Sequence, residues 1–383
     1  MKHLIIFCLM PVFFITACHQ NKQETSVKSD NSFNLPEKKD FDTTLDGKKV
    51  NLHRLINQKG MIVQITNYGA RIVSIVVPDK NGDYNDVAFG VNTIDKYLKD
   101  DMSMGNIVGR YANRIEGGEF ALNGEKYQLF QNDGSNTLHG GKENFGKKVW
   151  HVKTSTDSTV SLQYVSPHME ENYPGKLTLD VKYTITDKNE LMIDYLATTD
   201  QATVINLTNH CYFNLKGEGD STILDHQLKV LADHFTPINA NLIPTGEIAP
   251  VEGTPFDVAE LSSIGKRINN DHPQLNYGNG YDHNFVLNKE PGELAKAAEL
   301  YEPETGRMLE LYTTEPGMQL YTGNFMDGSI VGKSGEPYIY RSGIALETQH
   351  FPNSPNQPEF PSTVLQPGDK YTQKTIYQFG VKE

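Results

Sequence analysis

LTLDVKYTITDKNELMIDYLA, residues 177–197, decides the fold class. Leu177, Leu179, Val181, Tyr183 and Ile185 alternate with polar residues, the period-2 pattern of a strand with one buried face. Asp-Lys-Asn-Glu then turns the chain, and Leu191, Ile193, Tyr195 and Ala197 resume the alternation. Two such runs about a short polar turn predict a β-hairpin. The pattern spreads outward in both directions. Turn chemistry recurs at Asp79–Asp83, Asn123-Gly124, Pro174-Gly175, Lys216–Asp220, Glu304-Thr305-Gly306 and Gln366-Pro367-Gly368. Helical periodicity is confined to short pieces near Thr93–Lys99 and Val258–Arg267. No βαβ rhythm and no short repeat appears. Many strands, regular turns and little helix predict an all-β protein, a large antiparallel sandwich. No linker-like stretch interrupts it, so residues 41–383 are expected to form one domain.

The N-terminus reads differently. Lys2 and His3 precede the apolar run LIIFCLMPVFFITA, too short for a stable transmembrane helix and suited to a signal-peptide core. Ile15-Thr16-Ala17-Cys18 resembles a bacterial lipobox, which implies cleavage before Cys18 and lipidation of its thiol. A plain secretory signal is the alternative. The expectation is a signal peptide at 1–17, a flexible polar tether at 18–40, and a lipoprotein exported to the cell envelope and anchored to a membrane. Cys8 would leave with the signal and Cys18 would carry lipid. Cys211 then stands alone, without an intrachain disulfide, and is expected to pack as a small hydrophobe.

With 48 acidic against 35 basic residues, the formal net charge is −13, which argues against nucleic acid as a partner. It fits a protein that handles neutral small molecules, and a monomer is expected. Trp150 is the single Trp, so a surface of several Trp platforms is not expected. The 12 His show no HxH or HExxH spacing and no paired Cys accompanies them, so no metal centre is expected. The acidic turn Asp79–Asp86 has a partial Ca²⁺-loop look but lacks the distal Glu of an EF-hand, and a plain hairpin turn is favoured. Neither a GxGxxG after a strand, nor a P-loop, nor a GxSxG is present.

What remains is a set of polar residues in unusual contexts. Glu347 ends a short apolar strand before a loop dense in Pro and Asn. Ala345, Glu347 and Gln349 share one face there, and Ile344 and Leu346 the other. Thr208, His210 and Tyr212 share a face in NLTNHCYFNLKG, as the floor of a polar site or as half-buried structural groups. His139 precedes Gly140-Gly141, where backbone or ligand can approach closely. Arg110 and Arg114 lie between glycines, offering planar forks of donors. Asp282 stands at the mouth of an apolar strand, and Gln319 lies in EPGMQLYTGNF.

These segments together resemble the aldose 1-epimerase (galactose mutarotase) family. The matching pieces are NYGARIVSIVVPDKNG, GRYANRI, LHGG, NHCYFNL, PTGEI, GYDHNFVL, PGMQLYTGNF and GIALETQHFPNSPNQPEFPS, in family order over roughly residues 41–380. The resemblance implies a single-domain, galactose mutarotase-like β-supersandwich with no cofactor. A bound Ca²⁺ is left open. It implies Glu347 as general base, His210 as general acid, and His139 as a second His near the sugar ring oxygen. Asn113, Arg114, Tyr212, Asp282 and Gln319 are the implied sugar-hydroxyl contacts.

Interconverting the anomers of a free aldohexose such as galactose or glucose requires ring opening. A proton leaves the C1 hydroxyl and another reaches the ring oxygen. The expectation is an ionised Glu347 and a His210 of nearly ordinary pKa, on opposite sides of the C1–O5 unit. Three other readings stay open: a carbohydrate-binding lipoprotein without turnover, a glycoside hydrolase using Glu347 and Asp282, and a phosphosugar epimerase using Arg110 beside Arg114.

Overall fold

The computed structural model describes Met1 and residues 35–99 and 102–382. The signal peptide and Cys18 lie outside the described residues, as does most of the tether. Of its last residues, Pro36 is buried and its carbonyl accepts a hydrogen bond from Gln64 Nε2 at 2.9 Å.

The 177–197 hairpin forms with the register that its alternation dictates: Leu177 faces Thr199 and Ile185 faces Leu191. It lies inside a nine-stranded antiparallel sheet. From one edge the strands run His151–Ser155, Thr159–Ser166, Leu177–Ile185, Glu190–Thr199, Tyr371–Val381, Arg307–Thr313, Ala295–Tyr301, Gln227–Val230 and Ser262–Ser263. The alternating apolar residues of the hairpin, Leu177 to Ile185 and Leu191 to Ala197, are buried in the main core, with Val160, Leu162, Leu309, Leu311 and Tyr377 beside them on neighbouring strands. Paired residues in a sheet share a face, so one alternating set becomes a continuous apolar surface.

A second sheet of six strands covers that surface. Its order is Tyr212–Phe213, Ile344–Gln349, Gly317–Tyr321, Asp282–Val286, His234–Thr236 and Ala249–Pro250. The register opposes Phe213 to Ile344, Leu346 to Leu320, and Met318 to Phe285. These residues form the face that joins the main core. The two sheets meet at the Phe213–Tyr377 rings, 5.1 Å apart, and at the Thr348–Thr375 hydroxyls, 2.7 Å apart. The antiparallel β-sandwich expected from the sequence is what forms.

Helix is scarce, as expected, and of the two expected pieces the one near Thr93–Lys99 forms. Thr93 caps the single turn Ile94–Tyr97. The periodicity at 258–267 yields only a 3₁₀ turn, Ile264–Lys266, because Ser262–Ser263 is pulled into the edge of the large sheet beside Gln227–Leu228. The six-residue helix Pro273–Gly278 was not expected. Its signals are local: His272 as N-cap, Pro at the first position, and Asn279 in the left-handed region as terminator. The Asp79–Asp83 stretch is a hairpin turn in which Asp79 Oδ1 accepts from the Asn81 and Asp83 amides at 2.8 and 2.9 Å. Cys211 is buried in the main core, and burial pushes its thiol pKa up.

Candidate active site

The other face of the six-stranded sheet carries the polar side chains. Gln319 stands opposite Glu347, Tyr321 opposite Asp282 and Ala345, and Tyr212 opposite Ala345. Strand alternation therefore places Tyr212, Glu347, Gln319, Tyr321 and Asp282 on one face of four adjacent strands, directly behind the apolar residues of the core. His210 arrives from the short segment between Thr208–Asn209 and Tyr212–Phe213.

A cleft of about 290 Å³ opens over this face, lined by Asn113, Arg114, His139, His210, Tyr212, Asp282 and Glu347. All the residues singled out from the sequence except Gln319 and Arg110 thus meet here. Glu347 is 2% exposed, so its carboxyl is not a solvated surface group. Its Oε1 lies 3.5 Å from His210 Nε2, and its Oε2 has no hydrogen-bond partner among the described residues. The expected placement of the two groups on opposite sides of a sugar ring does not hold. They stand side by side on the cleft floor.

Their protonation differs from expectation too. Burial, reinforced by the Asp282 carboxylate, holds the Glu347 carboxyl well above the usual range, against a smaller pull from Arg114. Burial lowers His210 to about 4, with the Arg71 guanidinium adding to the effect. Both shifts favour the uncharged form of each group, the carboxyl of Glu347 and the neutral imidazole of His210, between which one proton is shared. Adjacent groups of this kind titrate as a unit.

The His210 shift has a consequence for stability. Unfolded, the imidazole takes up a proton below its ordinary 6.5; folded, it resists until about 4. The unfolded state binds more protons across that window, so stability falls as pH falls through it. At pH 4.5 the cost from this one group is about 2 kcal/mol. Urea melts at pH 7 and pH 4.5 should show the wild type losing that much more than His210→Asn. Equal losses in the two proteins would contradict the assignment.

The remaining residues frame the pair. Asn113 and His139 both adopt left-handed backbone, with φ of 62° and 53°. They bridge each other: the Asn113 amide donates to His139 Nδ1 at 3.1 Å, and the His139 amide donates to the Asn113 carbonyl at 3.1 Å. Nδ1 accepts, so the hydrogen of the neutral ring sits on Nε2. Strained backbone of this kind persists where surrounding structure over-determines it. The potential metal-ligand atoms of His139, His210 and Glu347 lie within 4.8 Å of one another, a grouping that sequence spacing did not reveal. A protonated Nε2 on His139 is nevertheless a donor and not a ligand.

Arg114 is held at its Nε by Asp133 Oδ2 at 2.8 Å, and its Nη1 lies 3.8 Å from Asp282 Oδ2. Gln319 is not in the cleft lining. Its Nε2 donates to Asp282 Oδ1 at 2.7 Å, so it orients a cleft residue from behind. Arg110 turns away altogether. Its guanidinium donates to the Pro174 and Gly175 carbonyls, Thr203 Oγ1 and Ser166 Oγ, and lies 5.7 Å from the centre of the Tyr173 ring. The paired-arginine basis for a phosphate site is therefore absent.

Met102, Ser103, Leu138, Tyr321 and Phe325 also line the cleft and escaped the sequence reading. Tyr321 was findable, two positions beyond Gln319 on the same strand face. Phe325 is 58% exposed at the cleft lip, stacked 6.2 Å from Tyr321, and its local sequence carries no comparable signal. Aromatic surface is thus present at the cleft without Trp.

Comparison with known proteins agrees with this geometry. The family model described as aldose 1-epimerase matches residues 51–378. Galactose mutarotase from Sus scrofa is 44% identical over 319 residues, 83% of this chain and 91% of that protein. Aldose 1-epimerase from Escherichia coli (strain K12) is 36% identical over 336 residues, 87% of this chain and 96% of that one. The crystal structure of an aldose epimerase homologue from C. elegans superposes with a TM-score of 0.81 at 31% identity, covering 87% of this chain and all of that one. Aldose epimerases as a class act without a cofactor. The chain belongs to the aldose 1-epimerase family, and its activity is the isomerase activity of a mutarotase.

Proposed function

We propose that the protein interconverts the α and β anomers of free aldohexoses, galactose and glucose among them, with Glu347 as general base and His210 as general acid. The observation that carries this is the 3.5 Å separation of Glu347 Oε1 and His210 Nε2 on the floor of an open cleft. The two oxygens that must exchange protons, O1 and O5, are both bonded to C1. Neighbouring groups on one floor can therefore reach both at once. Sugar hydroxyls and Arg114 favour the carboxylate over the carboxyl, which moves the shared proton onto His210. Glu347 then takes the O1 proton, the C1–O5 bond breaks with its electrons going to O5, and His210 delivers its proton there. Rotation about C1–C2 presents the other face of the aldehyde. O5 attacks C1, His210 recovers its proton from O5, and Glu347 returns a proton to O1.

Asp282, Arg114, Asn113 and Tyr212 hold the sugar in register with the pair. His139 offers its Nε2–H towards the same region. A Ca²⁺ ion has no part in these steps. For the hydrolase alternative, Asp282 would have to act as second carboxylate, but it is committed to Gln319 and faces Arg114. A polarimetric panel of anomerically pure sugars tests the reading. Fresh α-D-galactose and α-D-glucose should both relax well above the solvent rate. Calorimetric binding with solvent-rate relaxation would instead leave a sugar-binding protein without turnover.

The cell address rests on sequence alone. A lipobox-like Ile15–Cys18 after an apolar leader supports an exported lipoprotein acting as a monomer at a membrane. Cys18→Ser should abolish labelling by a radioactive fatty acid and release the protein into the soluble fraction. Unchanged membrane retention and labelling would rule the anchor out.

A further inference from the structure

His139 reaches the cleft from a loop whose near end is tied at Leu138, which exchanges hydrogen bonds with the Asn132 side chain at 2.8 and 3.0 Å, and whose far end is tied elsewhere. Beyond His139, Gly140 and Gly141 have φ of 87° and 106°, and a Cβ on Gly140 would collide with the Gly109 carbonyl. Gly141 packs so closely on Glu171 that a Cβ there would strike its carboxylate. That carboxylate grips the next two backbone amides: Oε2 accepts from Lys142 at 2.9 Å and Oε1 from Glu143 at 3.1 Å.

Glu171 is itself presented by a costly turn. Met169, Glu171 and Asn172 have φ of 64°, 49° and 69°, so three residues of a four-residue stretch are left-handed and none is Gly. Each meets a steric penalty that Gly would avoid. The turn is closed by the Asn172 amide on the Met169 carbonyl and the Met169 amide on the Tyr173 carbonyl, with Tyr173 buried against Arg110. Arg110, which takes no part in the cleft, thereby anchors the turn that carries Glu171.

We propose that Glu171 is a positioning residue for His139: by fixing the Lys142 and Glu143 amides it sets where the His139 ring stands over the Glu347–His210 pair. It touches no substrate. From one side the ring is fixed by the reciprocal bonds to Asn113, and from the other by the loop that Glu171 closes. The proposal rests on the mutarotase reading of the cleft.

A double-mutant cycle tests it. Glu171→Gln keeps the shape but turns an amide NH₂ towards a backbone N–H, and should lower kcat by roughly 10-fold with KM little changed. In a His139→Asn background the same substitution should lower kcat by less than about 2-fold, because the group it positions is gone. Glu171→Asp, which keeps both acceptors on a shorter arm, should lie between, and it supports the same comparison if the Gln variant melts below the assay temperature. An equal loss in both backgrounds, or no loss in the first, would overturn the proposal. A wild-type rate for His139→Asn alone would instead overturn the reading of His139 in the cleft, and the positioning role with it.

Discussion

Glu347→Gln is expected to lower the polarimetric rate on fresh α-D-galactose by about 10²–10⁴-fold, the range for loss of a positioned acid–base group. The substitution is mild as packing. Among the described residues Glu347 Oε2 accepts no hydrogen bond, and Oε1 lies 3.5 Å from His210 Nε2, so no short structural bond depends on the charge. Burial pushes this carboxyl towards its uncharged form, so an amide of equal size should melt within a few degrees of wild type. What the amide cannot do is accept the O1 proton. A folded Glu347→Gln protein with a near wild-type rate would remove Glu347 from the base role.

His210→Asn is expected to cost as much. The imidazole is the group paired with Glu347 that hands a proton to O5, and its ring is wedged 5.2 Å from the His139 ring and 4.8 Å from the Tyr212 ring. Asn can occupy part of the volume but cannot exchange a proton near neutral pH. The combined variant carries a sharper expectation. The two groups share one proton, and neither completes ring opening without the other, so losing both should cost little more than losing either. If the double variant instead showed the product of the two single losses, base and acid would be acting independently. The pH profile follows the same logic. Activity needs one proton on the pair, so kcat/KM should hold through neutral pH and fall on the acid side as His210 gains a second proton near 4.

Much of this was legible in the sequence where local rules and tertiary structure agree. The 177–197 hairpin folds in the register its alternation implies, because shifting it by one residue would expose Leu179, Val181 and Tyr183. The same period placed Glu347 and Ala345 on one face and Ile344 and Leu346 on the other. What alternation could not supply was environment. All six residues of that strand are buried, the polar face at the floor of the cleft, and this burial shifts Glu347 up and His210 down from their ordinary ranges. Nor could spacing separate Arg114, which lines the cleft, from Arg110, which binds backbone carbonyls on the far side of its segment. The family resemblance implies Gln319 as a sugar contact, and what spacing along the chain could not reveal is that its amide donates to Asp282. Tertiary neighbours decide such cases, and they lie 37 residues away or more.

The strand that bears Glu347 is paired to Gly317–Tyr321 over Ala345–Gln349 and to Tyr212–Phe213 at Ile344 and Ala345, and its back is sealed against the large sheet. Such an interior strand has no low-energy route to local opening. Activity and native structure should therefore vanish together on heating, with no partly melted form that keeps its shape but has lost its carboxylate. Hydrogen exchange at the amides of residues 345–348 should report the global unfolding equilibrium, making them internal gauges of the whole molecule's stability.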